Sequence, residues 1–401
     1  MKLGWRVGSI FGIPLFIDIS WFYILALITF WYGGWVWRDR DWSTPVAWSA
    51  GFVMALLLFT SAVLHKLGHS LVARSQGIPV NSITLFLFGG IAAIDQDEFK
   101  TPYQTFQVAI AGPTVSFVLF LLLISIVRLF AFSDPTATIL EELAWLNLVL
   151  ALFNMIPGLP LDGGQVLKSA IWKITGSHLK GIRWAARIGQ ALGWVAIILC
   201  SIAFLTSSNL WFLWIAFLGW FVIRNATTYM RVSDLHEALL QLHASAVMTR
   251  NFRVVDANLS IHEFAQTYLS QETSSPLFFA VSDGRYQGML AVNELAHLER
   301  STWDSQTLEA IAHPLNKIPT VTEITSLAVV IHSLEFHQLR SIPVLSPTGS
   351  VAGVIDRGDI VRALTDKLNI SISEAIITRV KDEDSYPPGL PLAAIAKSLV
   401  R

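Results

Sequence analysis

The chain has 401 residues, of which 53% are hydrophobic and 14% charged, whereas soluble globular domains carry about 25% charged residues. The formal net charge of -1 argues against a nucleic-acid partner. Cys200 is the single cysteine and lies in an apolar run, which excludes an intramolecular disulfide. The first apolar stretch, from Ile13, is too long for a signal peptide.

Apolar residues are distributed unevenly along the chain. Long apolar runs occupy residues 1–235, while the remainder has the composition of an ordinary soluble protein. This asymmetry predicts a transmembrane domain over 1–235 and a soluble α/β domain over 244–370, followed by a C-terminal tail over 371–401.

Six apolar stretches are candidate membrane spans, since a helix needs about 20 apolar residues to cross the hydrocarbon core. They are 14–37, 48–74, 103–132, 138–156, 185–206 and 209–223. Eleven Lys and Arg residues lie in segments on the same side of the membrane as the N-terminus, and three lie in segments on the opposite side. The sequence therefore predicts a polytopic α-helical protein of the plasma or inner membrane with both termini, and the soluble domain, in the cytosol.

Two apolar segments do not fit simple spans. Residues 81–94 are too short to cross a membrane and contain Gly89 and Gly90, which favours a strand or hairpin. Residues 157–164 (PGLPLDGG) break a helix with two prolines and three glycines. Irregular backbone at membrane depth is tolerated where it lines an internal cavity, so both segments are predicted to form cavity walls.

The buried polar residues of the second span point to a metal site. His65 and His69 lie four residues apart and therefore share one helix face. Two imidazoles and a carboxylate form a catalytic zinc site, and Asp162 in the second break is the candidate third ligand. The alternative is that the two histidines only hydrogen-bond each other or the backbone.

These motifs, taken in order, resemble the site-2 proteases, zinc enzymes that cleave membrane-spanning segments. HKLGH at 65–69 stands in place of the family's H-E-x-x-H, and Phe88-Gly89-Gly90 and Ala111-Gly112-Pro113 resemble its hairpin and a helix-start motif. The most specific match is FNMIPGLPLDGGQVL at 153–167. The resemblance implies one zinc ion, Asp162 as its third ligand, and Asn154 as a residue that positions substrate or stabilises the oxyanion.

The resemblance also implies a substrate class, namely single-span membrane proteins such as anti-sigma factors or other membrane-bound regulators cleaved in regulated intramembrane proteolysis. An edge strand in 81–94 is expected to pair with an unwound substrate by β-addition. A hairpin that only plugs the cavity is the alternative. Membrane lipid is the other expected partner.

Lys66 departs from the family pattern at the position of the general-base glutamate. A protonated lysine has no lone pair with which to accept a proton from water, so this chain is predicted to be catalytically inactive or severely impaired. Three origins fit: a substitution made to trap substrate, a natural pseudoprotease that binds membrane segments, and a deprotonated lysine acting as a compensated base. The intact remaining motifs favour the first.

The soluble domain contains two similar strand–helix copies, over about 246–300 and 313–366. They resemble a pair of cystathionine-β-synthase (CBS) domains, which implies an adenine nucleotide in the cleft and a homodimer through these domains. The nucleotide signature is incomplete: Ala291 and Asp356 occupy the hydroxyl positions, and Asp359 alone keeps the ribose-binding role. Four histidines here are predicted to be surface or packing residues: His297, His313, His332 and His337. Besides a protease and a receptor that binds membrane segments, a third functional hypothesis is a transporter gated by the CBS pair.

Overall fold

The computed structural model describes residues 4–36, 42–86, 89–94, 99–250, 252–269, 277–290, 295, 298–387 and 389–400. The chain divides into two units, Met1–Ser233 and Asp234–Arg401, each described by itself below. The described α-helices of the first unit are α1 (Ser20–Trp31), α2 (Thr44–Ser75), α3 (Pro102–Leu129), α4 (Asp134–Asn154), α5 (Asp162–Thr175), α6 (His178–Ser207) and α7 (Trp211–Gln241), the last of which continues into the second unit.

Within the described residues, four helices are long and apolar enough to cross a membrane: α2, α3, α4 and α6. They match the second to fifth predicted spans, which confirms the polytopic α-helical fold, whereas a total of six spans is not confirmed. The stretch 14–37 starts as a strand, and α1 has 12 residues. The stretch 209–223 forms only the first part of α7, which has 31 residues.

Local sequence explains where several helices of the first unit begin or end. Ser43 lies in extended backbone before α2, which has a proline in its first turn. Thr101 and Gln104 form a capping box at the start of α3. Helix α5 ends at Gly176, whose φ of 70° is a left-handed conformation that glycine adopts readily.

A four-stranded sheet lies in the first unit, in the order β1 (Trp5–Ile10), β2 (Ile13–Ile17), β3 (Val80–Phe86) and β4 (Gly89–Ile94). β3 and β4 form an antiparallel hairpin, which confirms the prediction for 81–94. β2 pairs with β3 in parallel, so the N-terminal apolar run contributes a strand where a span was expected. Phe88, named in the hairpin motif, lies outside the described residues.

The second unit contains two sheets with the same topology. Their strands are β5 (Phe252–Asp256), β6 (Leu277–Ser282) and β7 (Arg285–Leu290), and β8 (Val321–Thr322), β9 (Ser341–Leu345) and β10 (Val351–Asp356). In each sheet the first two strands are parallel and the last two antiparallel. The described α-helices are α8 (Ala244–Val247), α9 (Ile261–Phe264), α10 (Leu308–Ile311), α11 (Leu327–Phe336), α12 (Arg357–Leu368), α13 (Glu374–Glu383) and α14 (Leu392–Val400).

The two copies cross over each other. Thr249, which precedes the first sheet, forms an antiparallel bridge with Val354 of the second, and His313 forms the same bridge with Met289 of the first. This reciprocal exchange ties the copies into one α/β unit and confirms the predicted repeat.

Residues 371–401 contain helices that pack on this unit. Ile377 and Val380 of α13 and Leu392 of α14 belong to its main hydrophobic core. The core therefore extends beyond the predicted tail boundary at residue 371. The predicted limits 1–235, 244–370 and 371–401 stay predictions.

Candidate metal centre

Helix α2 brings two imidazoles together. His65 and His69 are buried, with 2% and 5% of their surface exposed, and their Nε2 atoms lie 3.2 Å apart. The four-residue spacing predicted from the sequence places them on one face of the helix. Burial of two imidazoles on one face of an apolar helix makes this face a candidate functional site.

Asp162 completes the cluster from the start of α5. Its Oδ2 atom lies 3.1 Å from Nε2 of His65 and 3.3 Å from Nε2 of His69. The preceding loop packs against α6, where Leu159 donates a backbone hydrogen bond to the carbonyl of Ala185. This packing fixes the point at which α5 begins, and with it the position of the carboxylate.

The geometry of the three donors fits a tetrahedral zinc site. With bonds of about 2.0–2.1 Å to nitrogen and oxygen, neighbouring donors of tetrahedral zinc lie roughly 3.3 Å apart, close to the three distances between these atoms. A proton on one imidazole nitrogen can be shared with only one acceptor at a time, whereas a metal ion can bond to all three donor atoms. Among the described residues, His65, His69 and Asp162 form the metal-capable cluster.

The other nitrogen of each imidazole is held by α3. Nδ1 of His65 lies 2.9 Å from Oγ of Ser116, and Nδ1 of His69 lies 2.7 Å from the carbonyl oxygen of Val108. Such outer partners orient metal-binding histidines and fix which nitrogen faces the ion. Both Nε2 atoms are therefore directed towards the cluster.

Gly112 supplies the space that the imidazoles fill. A Cβ atom at this position would lie 2.2 Å from Nε2 of His69 and 2.6 Å from Nε2 of His65. No side chain fits there without displacing a ligand. The Ala111-Gly112-Pro113 motif thus serves the site directly through its glycine.

Burial alone would raise the pKa of the Asp162 carboxyl group, but its interactions with His65 and His69, together with the charge of Lys66, hold that pKa below its ordinary value. The carboxylate is therefore ionised, which is the form that binds a metal. Its place in the first turn of α5 adds the favourable helix dipole.

A cavity of about 300 Å³ opens beside these ligands. Gly90 and Ala92 of β4 and Pro160 of the second break line it, which confirms that both irregular segments form cavity walls. Lys66 also lines it, and its stem packs against β4, since a Cβ atom on Gly90 would lie 3.3 Å from Lys66 Cγ. Lys66 thus lines the same cavity as the candidate metal ligands His69 and Asp162.

Three further polar residues line this cavity: Thr105, Gln165 and Tyr229. No local sequence pattern marks them as site residues. They are single polar residues on three different helices, α3, α5 and α7, without a spacing that would associate them.

Asn154 is not brought into this lining among the described residues. Its side-chain amide donates to the carbonyl of Leu150 within α4, at 2.9 Å, so its predicted role stays a prediction. The carboxylates that follow the hairpin, Asp95, Asp97 and Glu98, lie outside the described residues.

Asp359 lies buried at the start of α12 with both oxygens engaged. Oδ1 accepts from Lys381 at 2.9 Å, and Oδ2 accepts from the Thr249 hydroxyl at 3.3 Å and from the backbone N–H of Asp356 at 3.2 Å. Lys381 also lies 2.9 Å from Oδ2 of Asp356. Helix α13 thus covers the predicted ribose-binding carboxylate. In the first copy, the residues from Ala291 to Glu294 lie outside the described residues, as does His297.

Comparison with known proteins identifies the family. The model of peptidase family M50 matches residues 53–136 and 128–196, and the CBS domain model matches residues 309–366. The protein sll0528 of Synechocystis sp., named as a zinc metalloprotease, is 41% identical over 360 residues that cover 90% of this chain and 95% of that protein. The chain belongs to peptidase family M50, the site-2 protease family.

Two other similar proteins match this chain over different lengths. The zinc metalloprotease MJ0392 of Methanocaldococcus jannaschii is 28% identical over 366 residues, which cover 91% of this M50 chain and 97% of that protein. The solved structure of the site-2 protease from Methanocaldococcus jannaschii is 30% identical and covers 57% of this chain and 95% of that one, with a TM-score of 0.42. The CBS match falls on the second copy of the repeat.

Proposed function

We propose that this chain is a zinc intramembrane protease scaffold of the site-2 type whose metal is held by His65, His69 and Asp162. The convergence of their three donor atoms, with distances of 3.1 to 3.3 Å, carries the proposal. Zinc bound there would supply a Lewis acid that polarises a peptide carbonyl and lowers the pKa of water. Two relatives named as zinc metalloproteases support the same function.

Lys66 makes the unaltered chain inactive or severely impaired in hydrolysis. Among the described residues, no carboxylate other than the ligand Asp162 lines the cavity. A protonated amine donates hydrogen bonds but cannot accept the proton of an attacking water. General-base catalysis contributes about 10²–10⁴-fold, and that factor is expected to be missing.

The substrate class is a membrane-spanning segment, such as that of an anti-sigma factor or another single-span regulator. In the described sheet, β4 has one neighbouring strand, so its outer edge can accept another. Gly90 and Ala92 place this edge at the cavity. An unwound substrate paired with β4 would therefore lie beside the metal ligands.

A second function of a different class is a membrane-segment receptor that binds without cleaving. The combination of an intact ligand cluster with Lys66 in the same cavity favours this candidate. Zinc would then orient a bound segment by its carbonyl oxygen. The two functions make different predictions for Lys66→Glu: a protease would gain cleavage, and a receptor would not.

The soluble unit is proposed to lie in the cytosol, with both termini, and to regulate the membrane unit. The distribution of Lys and Arg supports this orientation. A CBS pair is also the element through which two chains would form a homodimer. Adenine nucleotide at Asp359 would require Lys381 to leave first, because that lysine pairs with the carboxylate.

Metal analysis of the purified full-length chain tests this proposal. One zinc per chain is expected, with less than a tenth of that in His65→Ala, His69→Ala and Asp162→Ala. His332→Ala, an imidazole outside the cluster, is the matched control and should keep its zinc. Absence of zinc from the unaltered chain after loading would contradict the proposal.

A further inference from the structure

The cavity beside the metal ligands carries hydroxyl, amide and phenol groups that the proposed chemistry does not use. Thr105, Gln165 and Tyr229 line it from three helices. Oγ1 of Thr105 is buried and has no hydrogen-bond partner within the described residues. The side chains of Gln165 and Tyr229 likewise make no hydrogen bond in the described part of the chain.

The hydroxyl of Thr105 differs from those of two other threonines in the described helices. Thr60 in α2 and Thr114 in α3 both donate their hydroxyls to the carbonyl four residues earlier. Thr105 is in α3 as well, with 3% of its surface exposed, yet its hydroxyl makes no such bond. A buried hydroxyl without a partner is destabilising, so a bound ligand that supplies a partner would be favoured.

An extended peptide has the hydrogen-bonding groups that this wall requires. When a strand pairs with β4, only alternate residues direct their N–H and C=O groups towards that edge. The remaining peptide groups point the other way, and at membrane depth each must find a polar partner. Side chains that both donate and accept suit both kinds of group.

We propose that Thr105, Gln165 and Tyr229 form a polar wall that hydrogen-bonds the peptide groups of an unwound membrane segment left unpaired by β4. This inference rests on the proposed function and extends it by naming the residues that bind the second edge of the substrate backbone. It makes the cavity selective for unwound segments, because a helical segment has no free peptide groups. The three residues are positioning residues for the segment.

A pair of probes separates the polar wall from the metal. The first is a fluorescein-labelled tetraleucine hydroxamate, which combines a zinc-binding group with peptide groups. The second is acetohydroxamic acid, which has the zinc-binding group alone and is measured by competition. Both are titrated against the zinc-loaded, full-length protein in detergent.

Thr105→Val, Gln165→Leu and Tyr229→Phe are each expected to weaken the tetraleucine probe about 5-fold, which corresponds to one hydrogen bond of about 1 kcal/mol. Acetohydroxamic acid should bind these variants as it binds the unaltered chain. Thr114→Val is the control on the same helix, because its hydroxyl bonds to the Ile110 carbonyl, and it should change neither affinity.

Two results would overturn the polar wall while leaving the proposed function intact. The variants would bind the tetraleucine probe as tightly as the unaltered chain, or they would lose both probes equally, which would indicate a change in the metal site. Failure of the zinc-loaded, unaltered chain to bind either probe would overturn the proposed function as well.

Discussion

His69 donates a hydrogen bond from Nδ1 to the carbonyl oxygen of Val108, 2.7 Å away. A carbonyl only accepts, so the proton of the neutral imidazole must lie on Nδ1, and Nε2 presents its lone pair. That lone pair faces Oδ2 of Asp162 at 3.3 Å. Two electron-rich atoms at this separation would be stabilised by a cation between them, and the α3 carbonyl would then orient His69 for that cation.

Removal of the Ser116 hydroxyl should weaken zinc binding. It lies 2.9 Å from Nδ1 of His65, and loss of such an outer partner typically costs 10–100-fold in metal affinity. Ser116→Ala is therefore expected to lose zinc at a chelator concentration at least 10-fold lower than the unaltered chain requires. Ser125→Ala is the control, because that exposed hydroxyl on the same helix bonds to the Leu121 carbonyl. Equal zinc retention by both variants would contradict this role.

A methyl group at Gly112 should abolish the metal site. The added Cβ would lie 2.2 Å from Nε2 of His69, so an imidazole would have to move out of the cluster. Gly112→Ala is expected to purify with less than a tenth of the zinc of the unaltered chain, as measured by elemental analysis. Gly34→Ala meets only ordinary contacts of 3.7 Å with Trp48 and should retain zinc. Full zinc content in Gly112→Ala would show that the cluster tolerates the methyl group.

Lys168 in α5 should make stability depend on pH. It is 3% exposed, and burial lowers its pKa from 10.5 to about 8. Because the folded-state pKa lies below the unfolded one, the charged amine destabilises the fold below pH 8, and this penalty disappears as pH rises from about 8 to 10.5. Lys168→Met should raise the free energy of unfolding at pH 7 by on the order of 3 kcal/mol. The thermal unfolding temperature of Lys168→Met should also vary less between pH 8 and 10 than that of the exposed control Lys173→Met. A parallel pH dependence in both variants would contradict this assignment.

Lys381 should compete with nucleosides at the second CBS copy. Its amine lies 2.9 Å from carboxylate oxygens of both Asp356 and Asp359. Lys381→Met frees these acceptors for ribose hydroxyls, so adenosine should bind this variant about 10-fold more tightly, a change of about 1.4 kcal/mol. Calorimetry on the full-length chain measures this, with the exposed Lys397→Met as control. Equal affinities in the unaltered chain and the variant would show that Lys381 does not close the site.

The candidate metal cluster could be predicted from the sequence because two local patterns mark its members. His65 and His69 follow the helical repeat, and Asp162 stands in a Pro/Gly break that interrupts an apolar run. The N-terminal strands were not predicted, because a short apolar run suits a buried strand and a membrane helix equally well. The extended backbone of β2 ends near Asp18, whose carboxylate accepts from the N–H of Ser20, where α1 begins.

The rest of the site depends on contacts between distant segments. Thr105 and Tyr229 lie 124 positions apart in the sequence and meet at one cavity only because α3 and α7 fold towards it. The pairing of Lys381 with Asp359 joins residues from different helices in the same way. Neither relationship has a local pattern that reasoning from one sequence can detect.

The most direct test of the proposed protease function is cleavage of a model single-span substrate by the unaltered chain, Lys66→Glu and Lys66→Gln, with zinc measured in each. Lys66→Gln removes the charge without supplying a base, so it separates the two effects of the lysine. We expect zinc in all three proteins and cleavage only by Lys66→Glu, with a gain of at least about 10²-fold. If none of them cuts the substrate and none holds zinc, the protease assignment is wrong for this chain, and a receptor for membrane segments is the better explanation.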